Sequence, residues 1–270
     1  MKCGLSVASG ALFLAPVIWL VIASFKPSAA IFTNDWQAFF SPRAWTLDNY
    51  PHAIRRAGLG RAMCNSIVQI MVIALGGALV NSMAAFAFAR LVFRAREALF
   101  ALVVALIILP VEVLAVPLFL TARDLGLTAG VAPVFLGLSV PFVAKAFNIY
   151  FLRQHFLSWP IEQEEAAMLD GASAWNIFWS LALPAIKPAL ATVVLLDVVV
   201  HWSDFLWPLL ITSREGTQTV QIALATLFTQ PPIDWGAILA CSVLSTLPVL
   251  AGFRYFQRYL VTTDARAGLR

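Results

Sequence analysis

Six long apolar runs, separated by shorter stretches in which charge and proline gather, organise this chain. They fall near residues 5–25, 63–89, 98–121, 131–151, 186–211 and 236–256. A helix needs roughly 20 predominantly apolar residues to cross the hydrocarbon of a bilayer, and each run meets that length. Runs of this kind read as helices, because a helix satisfies its own backbone N–H and C=O groups where lipid offers no partner. The pattern predicts an all-α polytopic membrane protein with six transmembrane helices, forming one domain over residues 1–270. Proline punctuates the runs: Pro110 and Pro117 in the third, Pro133 and Pro141 in the fourth, Pro208 in the fifth, Pro248 in the sixth. Each removes a backbone donor and predicts a kink. Such breaks survive where neighbouring helices or a water-lined cavity satisfy the freed carbonyls, so a packed, bending bundle is expected rather than a simple anchor.

Composition supports the bilayer as solvent. Hydrophobic residues make up 61% of the chain and charged residues 12%, with a mean hydropathy of +0.84; soluble domains run nearer half apolar and a quarter charged. The first run continues apolar from Lys2 to Phe25, past the length of a signal-peptide core, and Lys26-Pro27 comes next without a small-residue cleavage site. It reads as an uncleaved spanning helix. The net charge of +4 calls for no nucleic acid, since basic residues at membrane ends give the same total. Cys3, Cys64 and Cys241 lie in or beside apolar runs without metal-like spacing. With the N-terminus inside, the cytoplasmic segments hold Lys2, Arg90, Arg94, Arg96, Arg153, Lys187, Arg254, Arg258, Arg266 and Arg270, against Lys26, Arg43, Arg55, Arg56, Arg61, Arg123 and Arg214 outside. The short second loop with Arg90, Arg94 and Arg96 weighs most, and both termini are expected in the cytoplasm. The long first loop, 26–60, carries Trp36, Phe39, Phe40, Trp45 and Tyr50, which suit the outer interface.

Between the fourth and fifth runs lies a charged, helix-forming segment, 153–185, for which an embedded domain has no use. Ser158-Trp159-Pro160 supplies a cap and an early proline for a helix. Glu162, Glu164 and Glu165 then crowd the first turns, at the positive end of the helix dipole. Ala166 and Ala167 keep one face thin for a partner, and Gly171 allows a tight turn. A second short helix, about 173–182, is expected to end at Pro184, with Pro188 opening the next span. Within this stretch, Glu165, Ala166, Ala167, Gly171, Leu183 and Pro184 reproduce the spacing E-A-A, three residues, G, nine residues, I-x-L-P, with Leu181 in place of the usual Ile. The chain thereby resembles the permease subunits of bacterial ABC importers. More specifically, it resembles the second, shorter permease of the maltose-transporter type. Asn65-Ser66, Ala89-Arg90, Leu125-Gly126-Leu127, Phe151-Leu152-Arg153, Asp170-Gly171-Ala172 and the run Trp202 to Leu209 carry that likeness across nearly the whole chain. Ser203 departs from the usual Asn, and the tail TTDARAGLR lacks the Gly-rich, basic ending of the family.

The resemblance implies a type I importer permease in a bacterial inner membrane. Residues 153–185 would dock an ATPase subunit, through Glu165, Ala166, Ala167, Asp170, Gly171, Leu181, Leu183 and Pro184. It implies a second homologous permease, a pair of ATPase subunits and an extracytoplasmic solute-binding protein as partners. The chain itself would hold no cofactor, ATP being bound by the ATPase, and the solute would be a sugar, with a polyol or glycerol phosphate as alternative. Independently, no Gly-x-x-x-x-Gly-Lys-[Ser/Thr] loop is present, since glycine precedes none of Lys2, Lys26, Lys145 and Lys187. This chain is therefore not an ATPase by that route.

Ionisable groups within apolar runs mark function by default. Glu112 lies two residues past Pro110, Lys145 sits in the middle of run four, and Asp197, His201 and Asp204 occupy run five at spacings that share a helix face. Glu112, Lys145, Asp197, Trp202 and Asp204 are candidate residues of a translocation path, tryptophan faces being suited to sugar rings. Lys145 is equally suited to pairing with Glu112 or Asp197 for packing alone. Asp197, His201 and Asp204 also suit a proton-coupled secondary transporter. A membrane-embedded enzyme ranks below both, as neither HExxH nor GxSxG occurs.

Overall fold

A computed structural model of the protein describes residues 2–32, 36–41, 45–212 and 216–267, and every regular element among them is helical. Arg43, Arg214 and Arg270 lie outside the described residues. Two of the expected runs are single helices of membrane length, Leu59–Arg90 and Trp235–Ala267. The first run is the 23-residue helix Lys2–Ser24. The third and fourth are broken, and the fifth is bent from the end of the charged segment that precedes it. Arg96–Leu106 meets Val111–Asp124 at 103°, Val131–Phe142 meets Ala146–Ser158 at 49°, and Ala174–Ala185 meets Lys187–Trp202 at 76°. Each bent pair has the length and apolarity of a span when taken together. The fifth run stops at Trp202 and resumes only as Leu206–Ile211.

Proline accounts for some of these breaks, and position decides which. Pro110, extended at ψ 132°, is the N-cap of Val111–Asp124 and ends the preceding helix. Pro141 lies in a short 3-10 turn at the 49° bend. Pro133 and Pro208 occupy first turns, where no intrahelical donor is lost, and the helices continue through Pro117 and Pro248. At Pro133 and Pro208 the expected kink is corrected accordingly. The 76° bend has no proline at its centre: Ile186 breaks the helix and Pro188 sits in the first turn of the next.

The chain divides into two compact units. One comprises residues 1–66 and 218–250. In it the first loop is tied to the end of the first helix by buried side-chain hydrogen bonds. Asn49 Nδ2 donates to the carbonyls of Ser24 and Lys26, both at 2.8 Å, and the fully buried Lys26 ammonium donates to Ser41 O at 2.7 Å. Asp234 accepts from the Ser28 hydroxyl and lies 2.8 Å from His52 Nδ1. A helix not anticipated from the pattern, Val220–Thr229, begins where Ser66 Oγ accepts the Val220 N–H at 2.9 Å.

The second unit comprises residues 67–217 and 251–270. It holds two buried clusters. One gathers Phe86, Phe156, Trp159, Ile177, Phe178 and Ile186 beneath the charged segment. The other gathers Ile73, Leu138, Phe142, Trp207 and Ile211, where the Trp207 indole donates to Gly137 O at 3.1 Å.

Candidate functional site

The charged segment folds as two short helical pieces around a turn whose geometry its sequence specifies. Ser158 closes the preceding helix, its hydroxyl donating back to His155 O, so Pro160 rather than Ser158 is the N-cap of helix Ile161–Leu169. At the far end the Gly171 N–H donates to Met168 O (3.0 Å) and the Ala172 N–H to Ala167 O (2.9 Å). That pair of bonds is a Schellman cap, with Gly171 at φ +83° in the left-handed position. Nothing lies within 4 Å of where a Cβ on Gly171 would sit, so the backbone conformation requires glycine, not crowding. Ser173 Oγ then accepts the Asn176 N–H and starts the second piece. Ala174–Ile177 passes into a π-turn over Phe178–Ala182 and ends as Leu183–Ala185. Pro184 lies in the first turn of that last piece, and the helix ends at the next residue, Ala185.

The predicted docking residues divide between two faces. Glu165, Ala166, Asp170, Gly171, Leu181 and Pro184 are exposed or half-buried at the surface, together with Met168 and Leu169, the latter at 90%. Ala167 and Leu183 pack inward on the buried cluster. Ala167 thus thins the helix towards its own core, about 100° around from Ala166, instead of towards a partner.

Glu164 is buried, and its carboxylate lies 3.2 Å from Arg90 Nε with both side chains under a tenth exposed. Burial pushes the Glu164 carboxyl above its ordinary range despite the opposing pull of Arg90, and Glu165 adds to the rise. The Arg90 terminal nitrogen donates to Phe156 O (2.8 Å), which also accepts the Trp159 N–H, and to Trp159 O (2.6 Å), at the end of helix Ala146–Ser158. The guanidinium also lies over the Trp159 ring, whose N–H donates to Gln163 Oε1. From the residue pattern, Glu164 had only a dipole role and Arg90 only a topological one. The available signal was a lone arginine closing an apolar run four residues before the next basic residue.

At membrane depth, the break before Ala146 carries the polar groups. Asn81 bridges it, donating to Val143 O (3.0 Å) and accepting the Lys145 N–H (2.9 Å), so the two backbone groups freed by the bend are both satisfied. Lys145 is at the break itself, not in mid-helix. Its ammonium contacts Asp197 Oδ1 at 2.5 Å and His201 Nε2 at 2.8 Å, and Asn148 donates to Asp197 Oδ2 at 3.1 Å. Asn81, Asn148, Asp197 and His201 are all buried. Gly77 lets this cluster close, because a Cβ there would stand 3.1 Å from Val143 O.

Of the proposed pairings, Lys145 takes Asp197. Glu112 is exposed in the first turn of Val111–Asp124. Asp204 does not share the helix face of Asp197 and His201, because the helix ends at Trp202. Asp204 instead accepts the Trp207 N–H at 3.4 Å, and its second oxygen is 3.9 Å from His201 Nδ1. Trp202 is buried.

Broken apolar helices with a buried charge pair, joined to an extramembrane helical segment fastened from beneath, define a helical membrane transport protein. The chain belongs to the family described as binding-protein-dependent transport system inner membrane component, which matches residues 62–262, and it is a permease subunit of the ABC importers. It is 34% identical to the arabinooligosaccharides transport system permease protein AraQ of Halalkalibacterium halodurans, over 94% of this chain and 90% of that one. It is 28% identical to the diacetylchitobiose uptake system permease protein NgcG of Streptomyces coelicolor, over 95% and 84%. In fold it is similar to a chain of a bacterial ABC transporter involved in the import of the acidic polysaccharide alginate, with a TM-score of 0.82 at 23% identity, covering 96% of this chain and 94% of that one.

Proposed function

We propose that this chain forms half of the translocation path for an oligosaccharide and takes its driving force from a separate ATPase docked on residues 161–185. One observation carries the reading: the helix Ile161–Leu169 turns Glu165, Ala166 and Leu169 outward while Glu164 and Ala167 fasten its other face to the membrane helices. A surface so exposed on a support so fixed suits a lever that receives force. The partners are a second homologous permease, two ATPase subunits that bind the ATP, and an extracytoplasmic binding protein. Both termini face the cytoplasm. The uptake functions named for the AraQ and NgcG relatives support an oligosaccharide as the solute. Glu112, Trp202 and Asp204 remain the candidates for the path, whereas the contacts of Lys145 and Asp197 favour a role in holding helices together.

The test is uptake by proteoliposomes containing the four-subunit assembly and its binding protein. Labelled arabino-oligosaccharides, diacetylchitobiose and sn-glycerol 3-phosphate are offered with ATP inside. Transport of a saccharide that requires ATP and survives an uncoupler is expected, and Glu165→Cys or Leu169→Cys should cross-link to the ATPase. Uptake that collapses with the proton gradient and ignores ATP would restore the proton-coupled reading.

A further inference from the structure

We infer that Arg90 and Glu164 form a joint through which movement of the docking helix passes directly into the long membrane helix Leu59–Arg90. The inference rests on the docking reading above. Arg90 is the last residue of that 32-residue helix, and its single side chain reaches three elements. It stays with its own helix, closes the C-terminal carbonyls of Ala146–Ser158 at Phe156 and Trp159, and meets Glu164 of the docking helix. Arg90 Nε and Glu164 Oε2 have no hydrogen-bond partner of their own. Separating them would leave two charges buried and unmatched. Docking helix and long helix therefore move together or not at all. A buried ion pair adds little net stability compared with a well-packed apolar pair, while breaking it from one side is costly, which suits a rigid joint better than a simple staple. Arg153 offers an internal comparison. Its Nε donates to Phe88 O at 3.2 Å and its guanidinium lies 4.0 Å from the Phe100 ring centroid, so it ties membrane helices to one another rather than to the docking helix.

The experiment uses the complete transporter in nanodiscs with nitroxides at Val92→Cys and Leu169→Cys, which are 95% and 90% exposed. Val92 lies just past the end of the long helix and Leu169 closes the docking helix. With the wild-type joint, the distance distribution between the labels should stay the same on adding ATP and vanadate. In the near-isosteric Glu164→Gln, and again in Arg90→Lys, it should broaden or shift by several ångströms under ATP and vanadate, while Arg153→Lys behaves as wild type. A nucleotide-dependent change in wild type, no change in either joint variant, or an equal change in Arg153→Lys would each overturn the joint. So would failure of both joint variants to insert, since their role would then lie in folding. Co-purification of the ATPase is scored separately in the wild type and in each variant: its absence from the wild type would overturn the docking reading and the joint with it, whereas unchanged distances in joint variants that retain the ATPase would overturn the joint alone.

Discussion

Gly171 shows how one residue type can be required by backbone alone. Its surroundings are empty, yet its φ of +83° closes the cap that ends the docking helix. An L-residue in the left-handed region costs roughly 1–2 kcal/mol, and asparagine tolerates it best. Gly171→Asn should therefore be milder than Gly171→Ala, and Gly171→Val the most damaging. Thermal unfolding of the purified transporter and retention of the ATPase should track that order. Equal losses in all three would mean that bulk, not conformation, is what the position excludes. Spacing along the chain was enough to place a turn here. It could not tell which alanine of the Glu165-Ala166-Ala167 triplet faces out, since that depends on the register with which Glu164 turns in towards Arg90.

Helices were legible because their apolar runs are long, and their breaks were only half legible. Pro110 breaks its run because it sits between two pieces, whereas Pro117 and Pro248 are carried inside continuing helices. What decides is whether something else meets the freed backbone groups, and at the break before Ala146 that partner is Asn81, more than sixty residues away along the chain. No local pattern reveals such a partner. The charge pair beside it sharpens the point. Lys145→Met alone leaves the Asp197 carboxylate buried against Asn148 without its cation, a loss of about 3–5 kcal/mol for a broken buried pair. The double variant Lys145→Met/Asp197→Leu should recover most of that stability, measured by thermal unfolding in detergent, and should retain uptake. Recovered stability without uptake would return the pair to the translocation path.

At the scale of the molecule, much of the apolar surface faces outward, from Phe13 on the first helix and Ile108 in the turn after Arg96–Leu106 to Leu169 on the docking segment. Lipid and partner subunits are the expected covers for so much exposed apolar area. Composition alone announced this, but not which surface belongs to which cover. The proposed topology, with both termini inside, would separate them within one unit of the chain: Leu169 would face the cytoplasm and Leu125, exposed in the turn after Val111–Asp124, the outside. In inside-out vesicles a membrane-impermeant maleimide should label Leu169→Cys and spare Leu125→Cys, and in right-side-out vesicles the reverse. Labelling of both from one side would discard the topology.

The π-turn over Phe178–Ala182 holds one residue more than a regular turn, and each extra residue rotates the remainder of a helix by about 100°. The side chains of Leu183, Pro184 and Ala185 are thereby offset in phase from Ile177 and the residues before it. The foot of the lever carries a spare notch, and giving it up would turn Leu183 and Pro184, at the entry to the bend before the next membrane helix, by about a quarter-turn.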